Sequence, residues 1–182
     1  MREKDKLHFS PSFIFSELDF EDQENLIVAF KDRVYGFYLK PADLLCENGM
    51  GFACGLLCIA TIDSLARLSY PKSNARIEDW LKNYIPEFQE ADFAHRFYED
   101  FRCGLVHEGR IKPFGEFSYE SKQLVLSVQG IIRINPHLLL KRVIQAFEQY
   151  LTELKRDPNE LQIFKTILKK DYETEVAHEM SA

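Results

Sequence analysis

The chain has 182 residues, a formal net charge of -6 and a hydrophobic fraction of 46%, with 15 Phe and 8 Tyr. That length suits a single domain with one sizeable core, and a composition this apolar and aromatic excludes a disordered protein. The acidic balance excludes a broadly basic surface that coats nucleic acid regardless of sequence, yet leaves room for a small local RNA site.

The start, Met1-Arg2-Glu3-Lys4-Asp5-Lys6, is charged and carries no signal-peptide pattern, and no uninterrupted apolar run reaches membrane-spanning length. A cytoplasmic protein with no membrane partner is expected. Cys54 and Cys58 are one helical turn apart, which suits neither a relaxed disulfide nor a CxxC chelate. With Cys46 and Cys103 they have the number of thiols a zinc site needs, but the irregular spacing and apolar flanks point to small packing residues. No metal and no cofactor is expected.

Residues 1–18, with Phe9, Phe13, Ile14 and Phe15 around Pro11, read as an N-terminal arm that docks as an extended segment or short strand. Residues 19–170 read as one helical domain, and 171–182 as a polar tail that frays. The first helix follows the acids Asp19, Glu21 and Asp22 and is expected to stop near Leu39, before Pro41. A shorter turn restarts at Pro41-Ala42-Asp43 and closes at Asn48-Gly49.

Met50 to about Leu68 is the most apolar stretch and is expected at the centre of a bundle, with Gly51 and Gly55 letting another helix approach closely. Asp63 and Arg67, one turn apart and of opposite charge, are expected to form a surface pair; the competing reading gives Asp63 to a later arginine or histidine as its acceptor. After the turn Tyr70-Pro71-Lys72, Ser73 or Asn74 is expected to cap a short helix through Trp80 and Tyr84.

The next helix occupies about Glu90 to Val106. Phe93, Phe97, Phe101 and Leu105 recur at every fourth position and define its buried edge, with Arg102 pointing away. Gly109 is the expected C-cap, so the helix ends near His107. Arg102 and His107 are five positions apart, roughly 140° around a regular α-helix. They converge only by local unwinding at Gly104 or by apposition of a second copy. His95 falls near the face of Glu99 and Arg102 and is expected to be solvated or capping. Glu108 is expected to neutralise Arg110.

Beyond Gly109 the period becomes two: Phe117 and Tyr119, then Leu124, Leu126 and Val128, then Ile132 and Ile134. An antiparallel hairpin or three-stranded sheet at about 114–135 follows, with turns at Glu120-Ser121-Lys122 and Gln129-Gly130. Pro136 opens a long amphipathic helix, and Asp157-Pro158-Asn159 separates it from the last one.

Arg102-Cys103-Gly104-Leu105-Val106-His107, late in an amphipathic helix with a Leu-Val-His-Glu-Gly exit, resembles the Arg-x4-His signature of HEPN domains. These are small helical bundles of prokaryotic toxin-antitoxin and defence systems and of eukaryotic RNA-processing enzymes. The resemblance covers about Glu24 to Leu154, with specificity in the motif alone. It implies an all-α, up-and-down HEPN-like bundle, a homodimer whose two motifs share a cleft, metal-independent RNA cleavage, and a cognate antitoxin or other partner protein. The residue after the motif arginine, often Asn in that family, is Cys103 here.

The residue types fit the chemistry. A ribose 2′-hydroxyl attacking its adjacent phosphate needs a proton acceptor active near neutral pH, the role assigned to His107. The phosphoryl oxygens need a fixed planar cation, the role assigned to Arg102. Asp63, Glu99, Cys103 and Glu108 are the accessory candidates. Three other readings stand beside this one. Arg102 and His107 can both serve as helix-end caps; the chain can be a catalytically inactive HEPN-like dimer that binds protein, nucleotide or RNA; or Cys103 and His107 can form a hydrolase pair without a visible oxyanion site.

Overall fold

The computed structural model describes residues 2–3, 6–90 and 92–173, and in them the helical periodicity of the sequence becomes a bundle assembled around α3 (Gly51–Ser69). Cys54, Cys58, Ile59, Ile62, Leu65, Ala66 and Leu68 of this helix are buried. It packs against α2 (Lys40–Glu47), α4 (Arg76–Tyr84), α6 (Pro136–Arg156) and α7 (Pro158–Asp171). By length and composition α3 is long and apolar enough to cross a membrane, contrary to the sequence expectation that no run was. In the fold, 56% of its apolar window is buried against protein.

The chain enters the bundle through α1 (Gln23–Val34), where the Asp22 carboxylate accepts the N–H groups of Glu24 and Asn25. The expected break before Pro41 does not occur. A π-helical turn, Tyr35–Leu39, carries α1 into α2, with the Lys40 N–H reaching the Tyr35 carbonyl five residues back. Proline breaks an α-helix because it lacks a donor for, and crowds, the carbonyl four residues before it. The wider turn moves that carbonyl out of register.

Ahead of α1, β1 (Arg2–Glu3) and β2 (Lys6–Leu7) form a short hairpin. Phe9 and Phe15 are buried and pack against Tyr172 beyond the end of α7. Ser10 donates to Asp32 of α1 at 2.7 Å, and the Arg33 guanidinium holds the Phe9 carbonyl. The arm is therefore docked by both aromatic burial and side-chain bonds. The frayed tail expected at 171–182 falls, from residue 174 on, outside the described residues.

The sheet is mixed where an antiparallel one was expected. Its order is β3 (Gly115–Phe117), β5 (Ile131–Ile134), β4 (Val125–Val128). β4 and β5 form an antiparallel hairpin through Gln129 and Gly130, both at positive φ, the geometry a tight hairpin turn requires. β5 inserts between β3 and β4, so β3 runs parallel to it, Gly115 opposite Ile132 and Phe117 opposite Ile134. Side-chain alternation records which face a residue takes and not the direction of its neighbour. Asn135 then caps α6 by accepting from His137 and Leu138, with Pro136 in the first turn.

What Gly51 and Gly55 admit is this sheet region and not another helix. A Cβ on Gly55 would overlap the Phe117 ring, and one on Gly51 would meet Tyr119. Gly55→Ala is expected to cost about 1–3 kcal/mol by overpacking, read as a lower urea midpoint at unchanged slope.

Candidate functional site

The motif helix begins as α5 (Phe93–Arg96) and continues as a π-helical segment, Phe97–Glu108. Of the predicted edge, Phe97, Phe101 and Leu105 are buried, with the first two rings stacked 5.8 Å apart, and Phe93 is half-buried against the core. Gly109 ends it in the left-handed region, φ 67°, and its N–H reaches the Gly104 carbonyl, five residues back.

This winding settles how Arg102 and His107 meet. Hydrogen bonds from residue i to i+5 widen the turn, so residues five apart lie one above the other. Arg102 Nη1 and His107 Nε2 are 2.8 Å apart within one chain. Neither a second copy nor a break at Gly104 brings them together; the helix is rewound over the whole segment. Arginine has no acceptor, so Nε2 carries the lone pair and the imidazole proton sits on Nδ1.

Gly104 has a second role. The chain leaving Gly109 folds back across it, with Arg110 donating its N–H to the Gly104 carbonyl at 3.2 Å and Lys112 donating to the Asp100 carbonyl at 2.9 Å. A Cβ at residue 104 would stand 2.5 Å from the Arg110 carbonyl oxygen. The return strand sets Lys112 3.3 Å from Glu99 and Arg110 2.5 Å from Glu108. Among the described residues, Glu99 and Glu108 are thus paired with Lys112 and Arg110 and form no hydrogen bond to Arg102 or His107.

Asp63 is the anchor. Its Oδ2 accepts from Arg102 Nε at 3.1 Å and from Nη2 at 2.7 Å. The expected Asp63–Arg67 pair is replaced: Arg67 is bound by the Asp171 carboxylate at the end of α7. Burial disfavours the Arg102 charge, but the hydrogen bond and charge of Asp63 outweigh it and hold its pKa above the ordinary arginine value. The Arg102 side chain is only 17% exposed, so the bonds are formed where water competes weakly. Asp63→Asn weakens that grip; a loss of about 1.5–3 kcal/mol of stability is expected in chemical denaturation.

Two residues join the site that sequence reasoning missed. Arg76, at the start of α4, places Nε 4.0 Å from Asp63 Oδ1, so one carboxylate lies between two guanidiniums. The Arg102 guanidinium lies over the Tyr98 ring, 5.9 Å from its centroid. Tyr98 stands four residues before Arg102, a spacing that was legible; nothing near Arg76 in the sequence marked it. Ser73 or Asn74 was expected to cap α4, but Ser73 bonds the Ala75 N–H and Asp79, and α4 starts at Arg76, after Ala75, without a side-chain cap. A cavity of about 230 Å³ opens here, lined by Ser73, Asn74, Arg76, Glu78, Tyr98 and Arg102.

Cys103 is partly exposed and its sulfur interacts with the Tyr98 hydroxyl, whose pKa that contact raises. His95 bonds Glu78 at 3.0 Å, away from His107; that bond raises its pKa. Cys46, Cys54 and Cys58 are buried free thiols; burial pushes Cys46 up to about 11, and contact with Cys58 together with burial raises Cys54 further. Among the described residues no three His, Cys, Asp or Glu side chains are grouped as a metal-ligand set.

The fold and site together define a mostly helical domain with a small mixed sheet and an Asp-Arg-His cluster formed where α3, which carries Asp63, meets the π-wound helix, which carries Arg102 and His107. Comparison with protein-family models, with curated proteins and with solved structures finds no match for the chain.

Proposed function

We propose that the chain is a HEPN-like, metal-independent endoribonuclease, a toxin or defence effector that cuts RNA at a cluster formed by Arg102 and His107. The observation that carries this reading is the 2.8 Å contact between Arg102 Nη1 and His107 Nε2, held by the Asp63 grip on the other edge of the guanidinium. A fixed cation and a neutral imidazole side by side are what 2′-hydroxyl attack on a phosphodiester requires.

In this mechanism a phosphate oxygen takes the Arg102 N–H that His107 holds in the free protein. Nε2 is released and accepts the proton of the 2′-hydroxyl. The 2′-oxygen forms its bond to phosphorus as the bond to the 5′-oxygen breaks. The 5′-oxygen takes up a proton from a second imidazole, leaving a 2′,3′-cyclic phosphate and a 5′-hydroxyl. A homodimer supplies that second imidazole. Leu44, Met50, Phe52 and Leu56 are exposed on α2 and the start of α3, and the 52, 56, 60, 63 spacing leads from this apolar face to Asp63.

A second reading has its own support. Asp63 and His107 take three of the five Arg102 donors, as in an inactive HEPN-like module that binds a partner protein or RNA without cutting it. Incubating generic structured RNA with the protein in EDTA and typing the product ends separates the two: cyclic phosphate ends support the nuclease, and intact RNA supports the binding module.

A further inference from the structure

The cavity beside the motif offers more than the scissile phosphate needs. The Arg76 side chain forms no hydrogen bond among the described residues; its ion-pair partner is Asp63 at 4.0 Å, already engaged by Arg102. Two guanidiniums share one carboxylate, so the Asp63 cluster keeps a net positive charge within an acidic protein. Tyr98 lines the same cavity with an aromatic surface, and the Asn74 amide, able to donate and accept, is likewise without a hydrogen bond among the described residues. The Glu78 carboxylate also borders the cavity, with its Oε1 turned to His95 Nδ1 at 3.0 Å. A spare guanidinium, an aromatic surface and a free amide around one concavity match the parts of a nucleotide: phosphate, base ring and base edge.

We infer that the cavity lined by Arg76, Tyr98 and Asn74 is a subsite for one nucleotide of the RNA chain, adjoining the phosphate held by Arg102. Arg76 binds that nucleotide's phosphate, its base lies against Tyr98, and Asn74 meets the base edge. The inference rests on the nuclease reading for the identity of the chain, while the nucleotide chemistry stands on the cavity alone. The volume of about 230 Å³ is below the roughly 300–1,000 Å³ of ordinary ligand pockets, so the cavity excludes an extended ligand.

The test is a titration of the full-length protein with adenosine 5′-monophosphate and with a 2′-O-methyl RNA trinucleotide, which lacks the attacking hydroxyl and is not cut. Wild type is expected to bind both, the trinucleotide more tightly, with the monophosphate competing. Arg76→Gln, at a half-buried position outside the core, and Tyr98→Leu are each expected to weaken both ligands about tenfold. Lys141→Gln, in the separate cavity between α6 and the sheet, is expected to change nothing. No binding by wild type, or binding indifferent to Arg76→Gln and Tyr98→Leu, overturns the subsite. Binding of the monophosphate without the trinucleotide overturns its assignment to an RNA chain. The two claims fail separately. His107-dependent cleavage with no binding through Arg76 and Tyr98 removes the subsite alone; such binding without cleavage removes the nuclease reading alone.

Discussion

Replacing His107 by alanine is expected to lower RNA cleavage by about 10²–10⁴-fold, the usual contribution of a positioned general acid or base. Its effect on stability is expected to be small. The imidazole is exposed, and the bond it loses, to Arg102 Nη1, joins a guanidinium still held by Asp63. Arg102→Ala is the contrasting case: it removes the phosphate ligand and also strips Asp63 of two hydrogen bonds, so cleavage and stability fall together. Parallel melting curves and cleavage rates for the two variants separate a chemical role from a structural one. A His107→Ala protein that melts like wild type and cuts like wild type removes His107 from the mechanism.

Gly104→Ala is expected to damage both properties from a position that touches no substrate. The added Cβ would stand 2.5 Å from the Arg110 carbonyl oxygen and 3.1 Å from the Lys112 nitrogen, backbone atoms that move only if the whole return strand lifts. Lifting it strains the 2.9 Å bond from Lys112 to the Asp100 carbonyl and the winding that sets His107 over Arg102. A loss of about 1–3 kcal/mol in urea unfolding is expected, with cleavage falling further than stability accounts for. Gly109→Ala is the control. Open space surrounds that position, and only its positive φ of 67° opposes a side chain, so a smaller cost, about 1 kcal/mol, is expected. Equal stability of Gly104→Ala and wild type would show that the return strand does not depend on the missing Cβ.

Much of the fold was legible because burial repeats with the period of the element that causes it. The Phe97, Phe101, Leu105 edge, the Gly109 cap and the start of α6 at Pro136 are all where residue spacing and cap chemistry put them. The winding was not legible, since a four-residue apolar repeat is compatible with α and π turns alike. That one ambiguity decided whether Arg102 and His107 could meet. The partner of Asp63 was legible only as the second of two readings, for a different reason. Helical spacing favoured Arg67, but Arg67 meets Asp171, more than a hundred positions along the chain, and a tertiary pair of that kind has no local signal. The same limit hid Arg76 from the site and the parallel direction of β3 from the sheet.

The central claim is that Arg102 and His107 form an RNA-cleaving pair. Its most direct test is cleavage of a generic structured RNA in EDTA by wild type and His107→Ala, with the product ends typed. The expected result is 2′,3′-cyclic phosphate and 5′-hydroxyl ends from wild type and intact RNA from the variant. Intact RNA with both proteins, each well folded, would contradict the claim and leave the cluster as a binding site.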